Sequence, residues 1–198
     1  MLIVCEGSKT EPQYFKEICV HYRLHTANVQ VQHGELGTQP MQVVEYAKQL
    51  FTDGNAAKNI QKRAFERVFA VFDRDEHATY HDALIKAAAL EGKLRNDLSE
   101  RVTFKAIASV PSFELWLLLH FEQVLAPMHR DDALRRLRKH LPDYHKGQQG
   151  NFQQTQAHIN AATLRAQHLA GLTTAHNAVE PYTDVYELVN LLTTLKTE

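Results

Sequence analysis

The sequence has few cysteines, no long apolar run and no excess of charge of either sign. Its two cysteines, Cys5 and Cys19, cannot form a disulfide framework and lack the short spacing of a zinc site. The longest apolar stretch lies within residues 113–121, which is far too short to cross a bilayer, and no cationic segment followed by an apolar core opens the chain. We therefore expect a cytoplasmic protein with buried, reduced thiols and no membrane partner.

The charge balance excludes a strong global attraction to nucleic acid. Twenty-two basic and 23 acidic residues give a net charge of −1, although a local phosphate-binding patch is compatible with this total. The composition, 44% hydrophobic and 23% charged, is typical of a globular protein and excludes a disordered one. With 198 residues, the chain has room for one ordinary domain or two very small ones.

Strand and helix patterns alternate over the first 110 residues. Apolar, β-branched segments predict strands at residues 2–5, 29–33, 67–72 and 102–110. Helical spacing predicts helices at 11–24, 43–51 and 80–91, and Thr10 and Gln13 suit the N-cap and capping-box positions of the first. This order predicts a doubly wound, mostly parallel four-stranded sheet with helices on both faces.

The pattern becomes helical after the fourth strand. Helical segments are predicted at 113–121, 131–141, 153–170 and 182–195, and residues 146–151 are predicted to be a loop or hinge. We expect an α/β core over residues 1–125 and a helical C-terminal extension over 126–198, packed on the same domain.

Three acidic side chains are predicted to meet at the carboxyl edge of the sheet. Glu6 follows the first strand, and Asp73 and Asp75 follow the third. Residues two apart share a face of an extended chain, so both aspartates point the same way if the strand continues. Glu76 and His77 are expected to fall away from that face or to enter the next helix. Three carboxylates repel one another unless they are protonated, paired or neutralised by a cation. Oxygen ligands without cysteine or histidine favour Mg²⁺ or Mn²⁺.

Several basic side chains are candidates for binding phosphate. Lys9 follows Gly7 and Ser8 at the start of a predicted helix, a place that favours anions, although the spacing of a Walker motif is absent. Lys146 could stabilise a charged phosphate. The predicted helix at 131–141 either forms a solvated basic face or binds a nucleic-acid backbone, through Arg135, Arg136, Arg138 and Lys139.

Four blocks of sequence resemble the RloB-like family, whose members have a TOPRIM-like fold. These blocks are VCEGSKTE at 4–11, VFDRDEH at 71–77, PSFELWLLLHF at 111–121 and PYTDVY at 181–186. The order of the blocks and their spread over most of the chain make the resemblance more specific than a short Glu-Gly or Asp-x-Asp pattern.

The resemblance implies a metal-dependent nuclease that hydrolyses phosphodiester bonds of DNA or RNA, similar to the nuclease domain of overcoming-lysogenization-defect proteins. It implies that Glu6 binds the metal or acts as general base and that Asp73 and Asp75 hold Mg²⁺ or Mn²⁺. Glu114 lies in the third block; it is either a site residue or a first-turn acid that complements the helix dipole.

The family is associated with restriction-modification and abortive-infection loci. The resemblance therefore implies antiviral defence, with a separate ATPase as partner because this chain has no nucleotide-hydrolysis motif of its own. A homodimer is compatible with the sequence.

Two other functions are open on the sequence alone. A phosphatase with a nucleophilic aspartate also uses an Asp-x-Asp pair, but there the pair follows the opening strand, whereas here it follows the third. A non-catalytic TOPRIM-fold adaptor that binds an ATPase or nucleic acid is the main alternative. The retention of all three acids argues against the adaptor without excluding it.

Overall fold

A computed structural model describes residues 1–25, 29–177 and 181–195, which form one five-stranded sheet with helices on both faces. The strands are β1 (Leu2–Cys5), β2 (Gln30–His33), β3 (Arg67–Asp73), β4 (Thr103–Val110) and β5 (Tyr182–Thr183). The α-helices are α1 (Thr10–His21), α2 (Pro40–Asp53), α3 (Tyr80–Leu90), α4 (Glu114–Leu119), α5 (Arg130–His140), α6 (Asn151–Thr155), α7 (Ile159–Leu172) and α8 (Val185–Thr194). Short 3₁₀ turns lie at Ala56–Lys58, Gln156–His158 and Ala175–Asn177.

The sheet has the strand order β2-β1-β3-β4-β5. The strands β1 to β4 are parallel, and β5 pairs antiparallel with β4. The prediction of a doubly wound, mostly parallel α/β fold is thus confirmed, and the architecture is that expected of a TOPRIM-like protein. Because β1 pairs with β2 on one side and with β3 on the other, the winding reverses between β1 and β3, where open α/β sheets bind their ligands.

The strands are apolar on both faces because helices cover both. Side chains of Ile3, Phe69 and Ile107 pack in one layer with α1, α4, α7 and α8. Their neighbours along the strands, among them Val4 and Val68, pack in the other layer with α2 and α3. Alternate residues of one strand therefore enter opposite layers, which explains the continuous apolar runs.

The fifth strand departs from the sequence prediction, which placed a helix over 182–195. Residues 182–183 instead pair with Val110 and Ser109, and the helix begins at Val185. The hydroxyl groups of Ser109 and Thr183 lie 3.1 Å apart, within hydrogen-bond distance. This short strand covers part of the outer edge of β4, which would otherwise leave backbone groups unpaired.

The start of the first helix also departs from the prediction. Lys9, not Thr10, holds the N-cap position, and Gln13 donates to Glu17 at 3.1 Å instead of completing a capping box. The Thr10 hydroxyl accepts a hydrogen bond from the Gly147 amide at 3.0 Å. The predicted cap thus anchors a distant loop.

Three smaller points complete the fold. The segment predicted as one helix over 153–170 is divided into α6, a 3₁₀ turn and α7. Both thiols are free; Cys5 is buried as expected, but Cys19 is only half-buried. No helix in the described ranges combines the length and the apolar character needed to cross a membrane.

A buried hydrogen bond between α1 and α4 yields a stability prediction. The Trp116 indole nitrogen donates to the Tyr14 hydroxyl at 3.0 Å. Replacing Tyr14→Phe leaves this N–H without its acceptor, so we expect a loss of about 1–3 kcal/mol in the free energy of unfolding, measured by urea denaturation. Tyr46→Phe is the control and should cost less than about 1 kcal/mol, because the Tyr46 hydroxyl donates to Glu35 and accepts from Lys58, and these two remain paired with each other within reach of solvent. Equal losses of unfolding free energy in the two variants would contradict a stabilising role for the buried hydrogen bond between Trp116 and Tyr14.

Candidate functional site

A cleft of about 190 Å³ opens where the parallel strands β1, β3 and β4 end. Parallel strands bring their carboxyl ends to the same edge, so residues far apart in sequence meet there. The cleft is lined by Gly7, Ser8, Lys9, Thr10, Glu11, Asp73, Glu114 and Lys146. It therefore holds three carboxylates and two lysines.

Glu6 connects the end of β1 to the end of β3. Its amide donates to the Val71 carbonyl at 2.8 Å, and its carboxylate accepts from the Asp73 amide at 2.9 Å. The other carboxylate oxygen lies 2.8 Å from Nε2 of His77. Burial raises the pKa of Glu6, although the Asp73 amide and His77 oppose this effect. Glu6 is thus fixed beside Asp73, as the sequence predicted.

The expectation that His77 falls away from this edge is wrong. Asp75 has a φ of 40°, in the left-handed region, so the chain turns after β3 instead of continuing straight. The turn brings His77 back against Glu6. The sign of φ at one non-glycine residue has no signal in the sequence pattern.

Glu11, which the sequence analysis did not single out, is a central acid of the cleft. It lies in the first turn of α1 and is only 8% exposed. Burial, with the charges of Glu114 and Glu6, raises its pKa to about 7. Burial, with the charges of Glu11 and Glu114, raises the pKa of Asp73 well above its usual value. These acids share too little positive charge to ionise together without a cost in free energy.

Glu114 is almost fully buried, with 2% of its surface exposed, and it is partnered on three sides. It accepts hydrogen bonds from the Ser112 hydroxyl at 2.7 Å and the Tyr144 hydroxyl at 3.1 Å. The ammonium group of Lys146 lies 3.4 Å from Oε1, the same carboxylate oxygen that accepts from Tyr144, whereas Ser112 donates to Oε2. Burial opposes the charge of Lys146, but the Glu114 and Asp73 carboxylates outweigh it and raise the pKa of this lysine. The two sequence candidates Glu114 and Lys146 are therefore brought together.

The loop that carries Lys146 is held against α1. Both carboxylate oxygens of Glu17 accept backbone hydrogen bonds, from Gly150 at 2.7 Å and from Phe152 at 2.9 Å. The stem of Lys9 packs on Gly147, where a Cβ atom would lie 2.8 Å from Cδ of Lys9. This segment was predicted as a loop or hinge; in the structure it is one wall of the cleft.

Asp75 does not line the cleft, so the expectation that it shares a face with Asp73 is wrong. Its carboxylate forms an ion pair with Arg130, at the start of α5. It lines a second cavity, of about 230 Å³, together with Arg74, His129 and Arg130. The cause is the left-handed backbone at Asp75, which ends the extended geometry on which the expectation depended.

Of the four residues of α5 predicted to bind a nucleic-acid backbone, three already have protein partners. Arg135 pairs with Asp132 at 2.7 Å, Arg136 pairs with Glu122 at 2.7 Å, and Arg138 donates to the Tyr144 carbonyl at 3.1 Å. Lys139 is exposed. A phosphate would compete with these partners, and nucleic-acid binding by this helix stays a prediction.

The carboxylate oxygens of the cleft are the type of ligand that a hard divalent cation prefers. The cleft offers carboxylate oxygens, and burial together with the charges of neighbouring acids raises the pKa values of Glu11 and Asp73. Within the described ranges, however, no three or more histidine, cysteine, aspartate or glutamate side chains already stand in the geometry of a metal site. Bound metal would therefore require these side chains to move.

The fold and the cleft define an α/β protein of the TOPRIM-like class with acids at the carboxyl edge of its sheet. A family model described as RloB-like protein matches residues 1–192, and the chain belongs to this RloB-like family. A comparison with curated proteins gave no match, and one with solved structures gave none either.

The raised pKa of Glu11 predicts a specific dependence of stability on pH. Between pH 4.5 and about 7 the folded state binds more protons at Glu11 than the unfolded state does. The contribution of Glu11 protonation to the free energy of unfolding is therefore full below this window and is lost as the pH rises through it. Relative to Glu11→Gln, which cannot ionise, the wild type should lose about 1–3 kcal/mol from pH 4.5 to 8 in EDTA. Urea denaturation followed by Trp116 fluorescence measures this difference.

The control for this measurement is Glu100→Gln, which removes an exposed carboxylate in the loop before β4, at the opposite edge of the sheet. If the free energy of unfolding depended on pH in the same way in the wild type and in Glu11→Gln, Glu11 would ionise as freely in the folded chain as in the unfolded one, and the prediction would be wrong.

Proposed function

We propose that this chain is a nuclease that depends on Mg²⁺ or Mn²⁺ and hydrolyses phosphodiester bonds of DNA or RNA. The observation that carries the proposal is the meeting of Glu6, Glu11, Asp73 and Glu114 at one edge of the sheet, with raised pKa values for three of them. Membership of the RloB-like family supports the same reading.

The acids have different parts in this proposal. Asp73 and Glu6 would hold the cation, with Glu114 completing the oxygen ligands around it. A bound divalent cation polarises the phosphate and lowers the pKa of attacking water. His77 and the Asp73 amide keep the Glu6 carboxylate in one orientation. Glu11, with a pKa of about 7, is our candidate for accepting the proton of that water.

The two lysines of the cleft would bind the phosphate. Lys9 lies at the start of α1, where backbone amides and the helix dipole favour an anion. Lys146 is held beside Glu114 and can stabilise the negative charge that develops on the phosphate oxygens.

The wider biological role rests on the family resemblance. We extend the proposal to antiviral defence together with a separate ATPase, since the chain has no nucleotide-hydrolysis motif of its own. A cytoplasmic location and a homodimer stay predictions.

One observation favours the non-catalytic adaptor. Asp75, which the resemblance assigns to the metal, is occupied by Arg130 outside the cleft. An adaptor would bind nucleic acid or an ATPase without any dependence on divalent cation, and the experiments below separate the two.

The nuclease proposal predicts cleavage that requires divalent cation. Purified protein incubated with plasmid DNA and total tRNA should cut one of them with Mg²⁺ or Mn²⁺ and neither with EDTA. Glu6→Gln and Asp73→Asn should lower the rate at least about a hundredfold, because each removes charge that holds the cation. Glu100→Gln is the matched control and should keep the wild-type rate. Intact substrate in every lane, also with the ATPase of the same locus present, would favour the adaptor.

The same proposal predicts that cation binding stabilises the fold. At pH 8, millimolar Mn²⁺ should raise the melting temperature of the wild type, because it neutralises acids that repel one another. The shift should shrink markedly in Asp73→Asn and stay unchanged in Glu100→Gln. A shift of the same size in all three proteins would place the bound cation elsewhere.

A further inference from the structure

A row of side chains on one face of α1 leads away from the cleft. The row consists of Lys9, Gln13, Lys16 and Val20, and Arg23 follows just after the helix. Spacings of three and four residues place side chains on the same face of a helix. We call these five residues the α1 stripe. Because Lys9 lines the cleft, the α1 stripe begins at the candidate functional site.

Two further cavities follow the α1 stripe beyond the cleft. One, of about 550 Å³, is lined by Gln13, Lys16 and Val20 and by the loop that brings Lys146 to the cleft. The other, of about 610 Å³, is lined by Lys16, Val20 and Arg23 and by β2. Since Lys16 and Val20 line both cavities, the two adjoin each other. Both volumes fall within the range of about 300–1,000 Å³ that is usual for sites that enclose small ligands.

The basic residues of the α1 stripe are available to an anion. Among the described residues, no acidic side chain lies within ion-pair distance of Lys9, Lys16 or Arg23. Glu17, the acid next to Lys16 on the helix, already accepts two backbone hydrogen bonds from the loop. On α5, by contrast, three of the four candidate residues are engaged. A phosphate bound at the α1 stripe therefore displaces no ion pair.

The other groups in these cavities suit unpaired bases. Gln13, Gln149 and Gln153 line the first cavity, and a side-chain amide can both donate to and accept from the edge of a base. His21 lines the same cavity and is exposed, so its ring can stack on a base. Val20 is 79% exposed and offers an apolar surface between the two cavities. In a duplex the pairing edges of the bases are occupied, so a single strand fits this surface better.

We propose that the α1 stripe and its two cavities bind a single-stranded nucleic acid on its way into the cleft. This inference rests on the proposed function, which places the cut in the cleft. Lys16 and Arg23 bind phosphates of the strand, and unpaired bases enter the cavities between them. Lys9 and Lys16 are seven residues apart, or roughly 10 Å along the helix axis, a distance that about two or three nucleotides span.

The first test measures how affinity depends on salt. A short fluorescein-labelled single strand, as DNA and as RNA, is titrated with protein in EDTA and followed by anisotropy at increasing KCl concentrations. The double variant Lys16→Gln/Arg23→Gln loses two phosphate contacts, so it should bind about four- to twenty-fivefold more weakly at low salt. The slope of log K against log salt should also become shallower by about 1.4, which is about 0.7 for each lost contact.

Two control variants remove one lysine and one arginine elsewhere. Lys93→Gln/Arg95→Gln changes exposed residues before β4, at the opposite edge of the sheet, and should keep the wild-type slope. Arg135→Gln/Lys139→Gln changes α5 and should also keep it. The proposal would be overturned by a wild-type slope in the α1 variant, by an equal loss in the Lys93/Arg95 variant, or by a loss confined to the α5 variant.

The second test identifies the kind of ligand by competition. Unlabelled single strand should displace the labelled strand from the wild type better than a duplex of the same sequence does at equal phosphate concentration. Poly(L-glutamate), which has the same sign of charge but no bases, should displace it poorly. A duplex that competes equally well would overturn the choice of a single strand. Equal competition by poly(L-glutamate) would overturn the proposal in favour of an acidic protein segment.

The two proposals fail in different ways. A wild type that binds neither DNA nor RNA would reject the proposed nuclease together with the role of the α1 stripe. Cleavage that requires divalent cation, with wild-type binding in Lys16→Gln/Arg23→Gln, would keep the nuclease and reject only the α1 stripe. Binding that is lost in this variant, without cleavage by any of the proteins, would keep the α1 stripe and reject the nuclease.

Discussion

The repulsion between acids that the sheet forces together is the constraint on which this structure depends. Parallel pairing of β1 with β3 and of β3 with β4 places Glu6, Asp73 and Glu114 at one edge, and the first turn of α1 adds Glu11. Buried carboxylates in such proximity ionise only at a cost in free energy. The strand register that stabilises the core thus also brings together acids whose ionisation opposes folding.

The C-terminal half of the chain supplies what partly balances these acids. Lys146 and the Tyr144 hydroxyl both reach Glu114, and their loop is held to α1 through the Glu17 carboxylate. Arg130 supplies a further positive charge outside the cleft, where it pairs with Asp75. The helical region therefore contributes side chains to the same edge as the α/β core, in addition to packing against it.

The parts of this arrangement that follow from local patterns could be predicted from sequence. Apolar runs predict the strands, and the acids that end two of these runs, Glu6 and Asp73, are predicted to lie at the common edge of a parallel sheet. The helix start predicted near Thr10 also puts Glu11 in the first turn at that edge, which is a local signal for this acid. The direction of Asp75 depends on one positive φ, and the contact between Lys146 and Glu114 depends on hydrogen bonds across the fold. Neither has a local signature.

The short segment after β1 shows why these residue types occur together. A Cβ atom at Gly7 would lie 2.1 Å from a carboxylate oxygen of Glu11, so only glycine leaves that acid its place in the cleft. The stem of Lys9 packs on Gly147, and the Thr10 hydroxyl accepts from the same loop. One segment thus positions a cleft acid and fixes the loop that carries the balancing lysine. A change that disturbs either contact should alter the charge of the cleft before it alters the fold, because the strands are held by separate, apolar layers.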